Sequence, residues 1–271
     1  MTDPPRTAAA RLRDGAGAVA RRGLRLVDAL RLREDGGPAV VVGLLLVLAG
    51  AVGFGVVLDA VQEMDDIAAL DRPVLDALVA VRSGPVTAAL LAVTTVTGPV
   101  VLPVVVVVAA LAWGLLARRW WQAGLLAFAM VLSTLVSSAI KAVVARPRPP
   151  VDTQHVAGAE STYSFPSGHT IGTATLLLVG GYLLWVARPG LRSLVGWLTG
   201  IVVGTALVAL SRLYLGYHFL SDVAASVALA VAVLGVVVVL DRRRAQRAAR
   251  APADAGGGRR PRQDSNLRPT D

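Results

Sequence analysis

The stretch PAVVVGLLLVLAGAVGFGVVL, Pro38–Leu58, carries no charged side chain. At 1.5 Å of rise per residue it makes a helix of roughly 30 Å, the thickness of a bilayer's hydrocarbon core. Further uncharged runs follow at roughly Pro99–Leu116, Trp121–Ile140, Gly168–Val186, Leu194–Leu210 and Leu220–Leu240. Helices satisfy every backbone group internally, which lipid demands. The pattern therefore predicts an all-α, polytopic membrane protein with a bundle of six transmembrane helices.

Composition agrees. The chain has 271 residues, 55% hydrophobic and 17% charged, with no cysteine; its mean hydropathy is +0.63. Soluble domains carry about 45–50% apolar and about 25% charged residues. A disordered chain, a water-soluble enzyme, a disulfide scaffold and a thiolate metal site are all disfavoured. Lys141 is the only lysine among 27 basic residues.

The arginines orient the spans. Residues 1–36 hold eight arginines against five acids, and Arg118–Arg119, Arg188–Arg192 and the tail from Arg242 fall on the same side. Arginine-rich short loops stay cytoplasmic. The expected organisation is a cytoplasmic basic segment over 1–37, the membrane domain over 38–240, and a disordered cytoplasmic basic tail over 241–271. The first apolar run lies far behind a long basic region and reads as an uncleaved anchor. The outer side receives 59–85, the loop 141–167 and the turn 211–218. Val74, Leu75, Leu78, Val79 and Val81 recur at helical spacing, so 73–97 reads as an amphipathic helix in the outer interface leading into the second span. The basic charge is accounted for by topology, so no nucleic-acid partner is expected.

Three polar clusters lie where the outer ends of the spans meet water. They are Lys141-Ala-Val-Val-Ala-Arg146-Pro147-Arg148-Pro149-Pro150, Phe165-Pro166-Ser167-Gly168-His169-Thr170, and Ser211-Arg212 with His218 and Asp222. Singly, each has a structural reading. Lys141 and Arg148 suit snorkelling anchors, Ser167 a helix N-cap, and His218 with Asp222, four residues apart, a hydrogen bond on one helix face. His155, in the outer loop, reads as a bystander.

Together they suggest a site, because ionisable groups at span ends are costly to bury. Lys141, Arg148 and Arg212 would converge with a helix N-terminus, an arrangement suited to an anion. Two histidines and one carboxylate offer a nucleophile, an acid and an orienting partner. No carboxylate-rich magnesium site is visible, so the chemistry implied is metal-free phosphoryl transfer without a cofactor.

The clusters resemble the three-part signature of the type 2 phosphatidic acid phosphatase superfamily. That signature is Lys, six residues, Arg-Pro; then Pro-Ser-Gly-His; then Ser-Arg, five residues, His, three residues, Asp. Lys141…Arg148-Pro149, Pro166-Ser167-Gly168-His169 and Ser211-Arg212…His218…Asp222 match it at every position. The resemblance covers about 120–240 and implies a membrane lipid phosphate phosphatase. It further implies His218 as nucleophile, Asp222 as its orienting carboxylate and His169 as acid and then base. Lys141, Arg148, Arg212, the Ser167 hydroxyl and the Gly168 N–H would bind phosphate oxygens. The implied substrates are lipid phosphates such as undecaprenyl diphosphate, phosphatidic acid or phosphatidylglycerol phosphate, presented from the bilayer to an extracytoplasmic site.

Alternatives within reach are a lipid phosphotransferase bearing the same signature and a non-enzymatic transporter or scaffold. The related vanadium-dependent haloperoxidases are soluble, and the six spans argue against that chemistry. The segment Arg262–Pro269 differs from the Ala/Arg-rich sequence before it. Back-translated with GC-rich codons, Gln263–Arg268 can complement a transfer-RNA T-arm, which suggests a reading frame running antisense into a neighbouring transfer-RNA gene, and the segment is assigned no function.

Overall fold

The computed structural model describes residues 37–158 and 160–250. Among these there are nine α-helices, no strand, and one 3-10 turn at Val151–Thr153. The helices are α1 (Gly37–Glu63), α2 (Asp66–Ala69), α3 (Asp71–Ala80), α4 (Gly84–Val96), α5 (Val101–Ala117), α6 (Trp120–Val144), α7 (Gly168–Ala187), α8 (Leu191–Tyr214) and α9 (Leu220–Arg250). Five of them, α1, α6, α7, α8 and α9, are each long and apolar enough to cross a bilayer. The sixth span is composite: α4 and α5 meet at a bend of 51° and reach the required length only together.

That composite span refines the reading of 73–97. The amphipathic helix before the second span is α3 alone. The uncharged α4 continues into α5 and packs against α8. The break falls at Gly98-Pro99, where proline has no N–H to donate and disfavours helical geometry in the residue before it. The span expected over Leu194–Leu210 also lengthens: α8 extends three residues before Leu194 and four beyond Leu210.

Helix α9 is the axis of the bundle, packed against α1, α6 and α7. Its contact with α1 relies on small residues. A Cβ on Gly50 would lie 2.5 Å from the Ala228 carbonyl oxygen, and one on Gly235 would lie 2.5 Å from that of Gly43. Such close approach is how helices associate where lipid supplies no hydrophobic drive. Leu44, Leu48 and Val52 on α1, Val104 and Leu111 on α5, and Val195 and Val202 on α8 are exposed, presenting apolar surface outward.

At the arginine-bearing end, Asp241 ties three helices together. It accepts from Trp121 Nε1 at 3.0 Å and from Tyr182 OH at 2.9 Å. Arg244 lies 4.1 Å from the Trp121 ring centroid. These contacts accompany the continuation of α9 to Arg250, so the first ten residues assigned to a disordered tail are helical instead. The N-terminal segment before Gly37 and the tail after Arg250, including Arg262–Pro269, lie outside the described residues.

Candidate active site

The opposite end of the bundle gathers all three polar clusters. Lys141 lies in the last turn of α6, which closes at Ala145 in the left-handed conformation (φ 49°). The following Arg146-Pro147-Arg148-Pro149 cannot continue a helix, because each proline removes a donor and restricts its predecessor. The chain therefore leaves the bundle here and returns at Ser167, which caps α7. The Ser167 Oγ accepts from the Thr170 hydroxyl at 3.0 Å. Arg212 ends α8, and His218 and Asp222 flank the start of α9.

These residues surround a cavity of about 770 Å³. Lys141, Arg148, Gly168, His169, Arg212 and His218 all line it, opposite apolar side chains such as Leu91, Val100, Leu102 and Met130. A Cβ placed on Gly168 would meet no atom beyond its own stretch of helix within 4 Å, so the backbone there is open to approach from the cavity it lines. Two of the expected residues stand behind the wall. Asp222 is fully buried and reaches the cavity only by its contact with His218. Ser167 is fully buried at the α7 cap and is not among the lining side chains. His155 is likewise absent from the lining; its backbone N–H donates to the Leu215 carbonyl at 2.9 Å.

The hydrogen bonds decide the His218 tautomer. Arg148 Nη1 lies 3.2 Å from Nε2 of His218 and can only donate, so Nε2 must be the unprotonated nitrogen. The ring proton then sits on Nδ1, which donates to Asp222 Oδ2 at 3.2 Å. Burial, reinforced by the positive charges of Arg212 and Arg148, holds the His218 imidazole well below its ordinary value. The result is a neutral ring whose Nε2 lone pair is engaged by Arg148 at the cavity wall, the protonation state a nucleophile requires.

Asp222 is itself held. Its Oδ2 also accepts from the Phe219 N–H at 2.9 Å, and its Oδ1 accepts from Arg146 Nη1 at 2.7 Å. Arg146 reaches onward to Asp71 through Nη2, also at 2.7 Å. Asp71 accepts from the backbone N–H and hydroxyl of Ser221 at 2.9 and 2.6 Å. The sequence shows Arg146 within its block without giving it a task, and left Asp71 unremarked among the acids of the 59–85 segment. Two arginines spaced two residues apart beside one intramembrane acid were a usable signal for Arg146. Nothing in sequence separates Asp71 from its neighbours.

Glu160 is the other residue that sequence reasoning missed. Its carboxylate forms an ion pair with Arg148 at 2.7 Å and another with Arg212. Burial pushes the Glu160 carboxyl up, but Arg212 and Arg148 outweigh it and keep the group below the usual carboxylate range. Arg148 also donates from Nε to the Thr162 carbonyl at 2.6 Å, and Lys141 Nζ donates to the Tyr163 carbonyl. Arg212 Nη1 donates to Thr94 Oγ1 of α4 at 2.6 Å, and its guanidinium stacks 4.7 Å from the Tyr217 ring centroid. The cations thus meet in the cavity with an internal anion between them.

Comparison with known proteins agrees with this arrangement. A sequence model of the PAP2 superfamily matches residues 122–246. A phosphatidylglycerophosphatase B of Bacillus subtilis (strain 168) is 33% identical over 110 residues, 39% of this chain and 51% of that protein. The chain thus matches about half the length of that curated relative. The crystal structure of a transmembrane PAP2-type phosphatidylglycerolphosphate phosphatase from Bacillus subtilis superposes with a TM-score of 0.65. It is 23% identical, and the match covers 73% of this chain and 96% of that one, which establishes the shared fold. With apolar spans of bilayer length and a transmembrane neighbour of the same fold, this is a multi-pass membrane protein that carries a PAP2 superfamily region at residues 122–246.

Proposed function

We propose that the protein hydrolyses lipid phosphate or diphosphate headgroups through a phosphohistidine intermediate. The observation that carries this reading is the placement of His218, held through Nδ1 by Asp222 and through Nε2 by Arg148, in the wall of a cavity also lined by Lys141, Arg212 and His169; Nε2 is freed when Arg148 turns to the phosphate. Nε2 attacks phosphorus as the bond to the leaving oxygen breaks, and His169 gives that oxygen a proton. Asp222 stabilises the positive charge that develops on the imidazole. A water then loses its proton to His169 and attacks phosphorus, the P–N bond breaks, and phosphate leaves.

Lys141, Arg148 and Arg212, with the Gly168 N–H, would bind the non-bridging phosphate oxygens, where preorganised donors act on charge redistributed in the transition state. The Ser167 hydroxyl joins them once it turns from its cap. The reaction is proposed as metal-independent because three side-chain cations stand where a metal would otherwise neutralise the phosphate. The headgroup enters while the lipid tail remains beside the apolar wall. Phosphatidylglycerol phosphate, phosphatidic acid and undecaprenyl diphosphate are the candidate substrates, and the names of the two Bacillus subtilis relatives favour the first.

The arginine distribution supports placing both termini in the cytoplasm and the cavity on the extracytoplasmic face. The division into an N-terminal basic segment, a membrane domain and a C-terminal basic tail is part of the same proposal. Phosphate release from a panel of lipid phosphates in detergent, with excess chelator, tests the reading. Release without an added acceptor supports hydrolysis, whereas strict dependence on an alcohol or lipid acceptor would make the protein a phosphotransferase. Activity lost to chelator and restored by magnesium would overturn metal independence.

A further inference from the structure

We propose that Asp71 is a positioning residue for the His218–Asp222 pair, acting through Arg146; the proposal rests on the reading of His218 as nucleophile. Asp71 opens α3, ahead of the second span, and lies outside both the signature blocks and the residues matched by the family model. It is nevertheless 3% exposed and bonded to Ser221, a partner 150 positions away. A carboxylate so deeply buried at the interfacial end of a bundle needs compensating partners.

The geometry gives that burial a purpose. Arg146 divides its fork, with Nη1 on Asp222 Oδ1 and Nη2 on Asp71 Oδ2, each at 2.7 Å. Its guanidinium carbon lies 4.5 Å from the Phe219 ring centroid. A free guanidinium prefers to take both oxygens of one carboxylate. On Asp222 that would set Arg146 in competition with His218 for Oδ2. Asp71 engages the second limb of the fork, so that Oδ2 is left to the imidazole. Ser221 reinforces the arrangement, with its hydroxyl accepting from Arg146 Nη1 at 2.7 Å and donating to Asp71 at 2.6 Å.

Charge points the same way. Two carboxylates around one guanidinium leave a net negative charge beside His218, which becomes cationic when it bonds phosphorus. Without the Asp71 charge that surplus disappears. Asp71 does not line the cavity, so both effects fall on the chemical step rather than on substrate affinity.

The test compares full-length wild type, Asp71→Asn, Asp71→Glu and His218→Ala in detergent, with a short-chain phosphatidic acid as probe. Rates are normalised to folded protein by gel filtration and thermal unfolding. Asp71→Asn keeps the shape and the acceptor for the Ser221 N–H but loses the charge. Its kcat is expected to fall about 10–100-fold with KM unchanged, the usual scale for residues that orient a reacting group from behind. Asp71→Glu, with the charge restored, is expected to recover most of that loss.

A purely structural tether would instead lower the amount of folded protein while leaving kcat per folded molecule at the wild-type value. That result, or a rise in KM at constant kcat, overturns the proposal. Should the Asn protein fail to fold, Arg146→Lys decides, because a single ammonium cannot hold Asp222 and Asp71 as the fork does: a lower kcat at unchanged KM supports positioning, and wild-type kinetics overturn it. If wild type releases no phosphate, or His218→Ala matches it, the functional reading fails first and takes this proposal with it. If those two controls behave as expected and Asp71→Asn equals wild type, only the positioning role falls.

Discussion

The two ends of the bundle use arginine in opposite ways. At one end Arg118, Arg119, Arg188 and Arg192 are exposed at the turns between spans. At the other Arg146 and Arg212 are buried, Arg148 is partly so, and each is engaged by carboxylates. The first set acts as free charge near a membrane surface, where long side chains can remain hydrated. The second set is withdrawn from water, which is tolerable only because Asp71, Asp222 and Glu160 lie within ion-pair distance. Desolvation makes a guanidinium a strong electrostatic partner for phosphate. In the proposed reading, the same residue type thus sets topology where it is wet and supports chemistry where it is dry.

The comparison breaks most sharply at the dry end. His218→Ala is expected to lower phosphate release by about 10⁴-fold or more, since it removes the proposed nucleophile and leaves His169 only its acid–base task. Turnover of purified variant on a lipid phosphate measures this, and wild-type activity would end the mechanism. Arg212→Lys keeps the charge but loses the fork, and is expected to cost about 10²–10³-fold in kcat. If lysine serves equally well there, buried arginine geometry is not what distinguishes the two ends.

Glu160 offers a change in the opposite direction. Its carboxylate pairs with the two arginines that would receive phosphate, so an entering headgroup must displace it. Glu160→Gln removes the competing charge and is expected to lower KM, and the inhibition constant for inorganic phosphate, by about tenfold. A higher KM would show instead that the carboxylate assists binding.

Protonation provides a finer probe. Burial, with the charges of Arg212 and Arg148, holds the His218 imidazole well below its ordinary value of 6.5. Between those two values the unfolded chain binds more protons than the folded one, so stability falls as pH drops through that window and is unaffected above it. At about pH 6 the ring is expected to remain neutral, with its proton on Nδ1. Nitrogen-15 NMR of histidine-labelled protein reads this directly, and a doubly protonated ring at that pH would contradict the hydrogen-bond assignment. The smallest effect belongs to the wet end: Arg118→Gln is expected to leave turnover within about twofold, because an exposed charge contributes little to stability or to a distant site.

Much of this was legible before any coordinates. Uncharged runs of bilayer length specify helices, because lipid offers no alternative partner for the backbone. The spacing of Lys141 from Arg148, and of His218 from Asp222, is local enough to read in one dimension. The second span was less legible, since α4 is too short to qualify alone and its continuity with α5 crosses a proline break. Ser167 shows the limit for side chains. Its position in the motif is plain, yet its hydroxyl is turned into the α7 cap.

What the sequence alone determined is therefore the helical membrane architecture and the set of groups able to handle phosphate. Both follow from local hydrophobicity and short fixed spacings. Tertiary structure decided which charges are paired and how the nucleophile is held. Asp71 meets Arg146 and Ser221 only when α3 docks against the start of α9, and Glu160 meets Arg212 only when the outer loop folds over the end of α8. Neither pairing has a periodic or local signature, because desolvation and ion pairing depend on distance in space, while separation along the chain leaves them unconstrained.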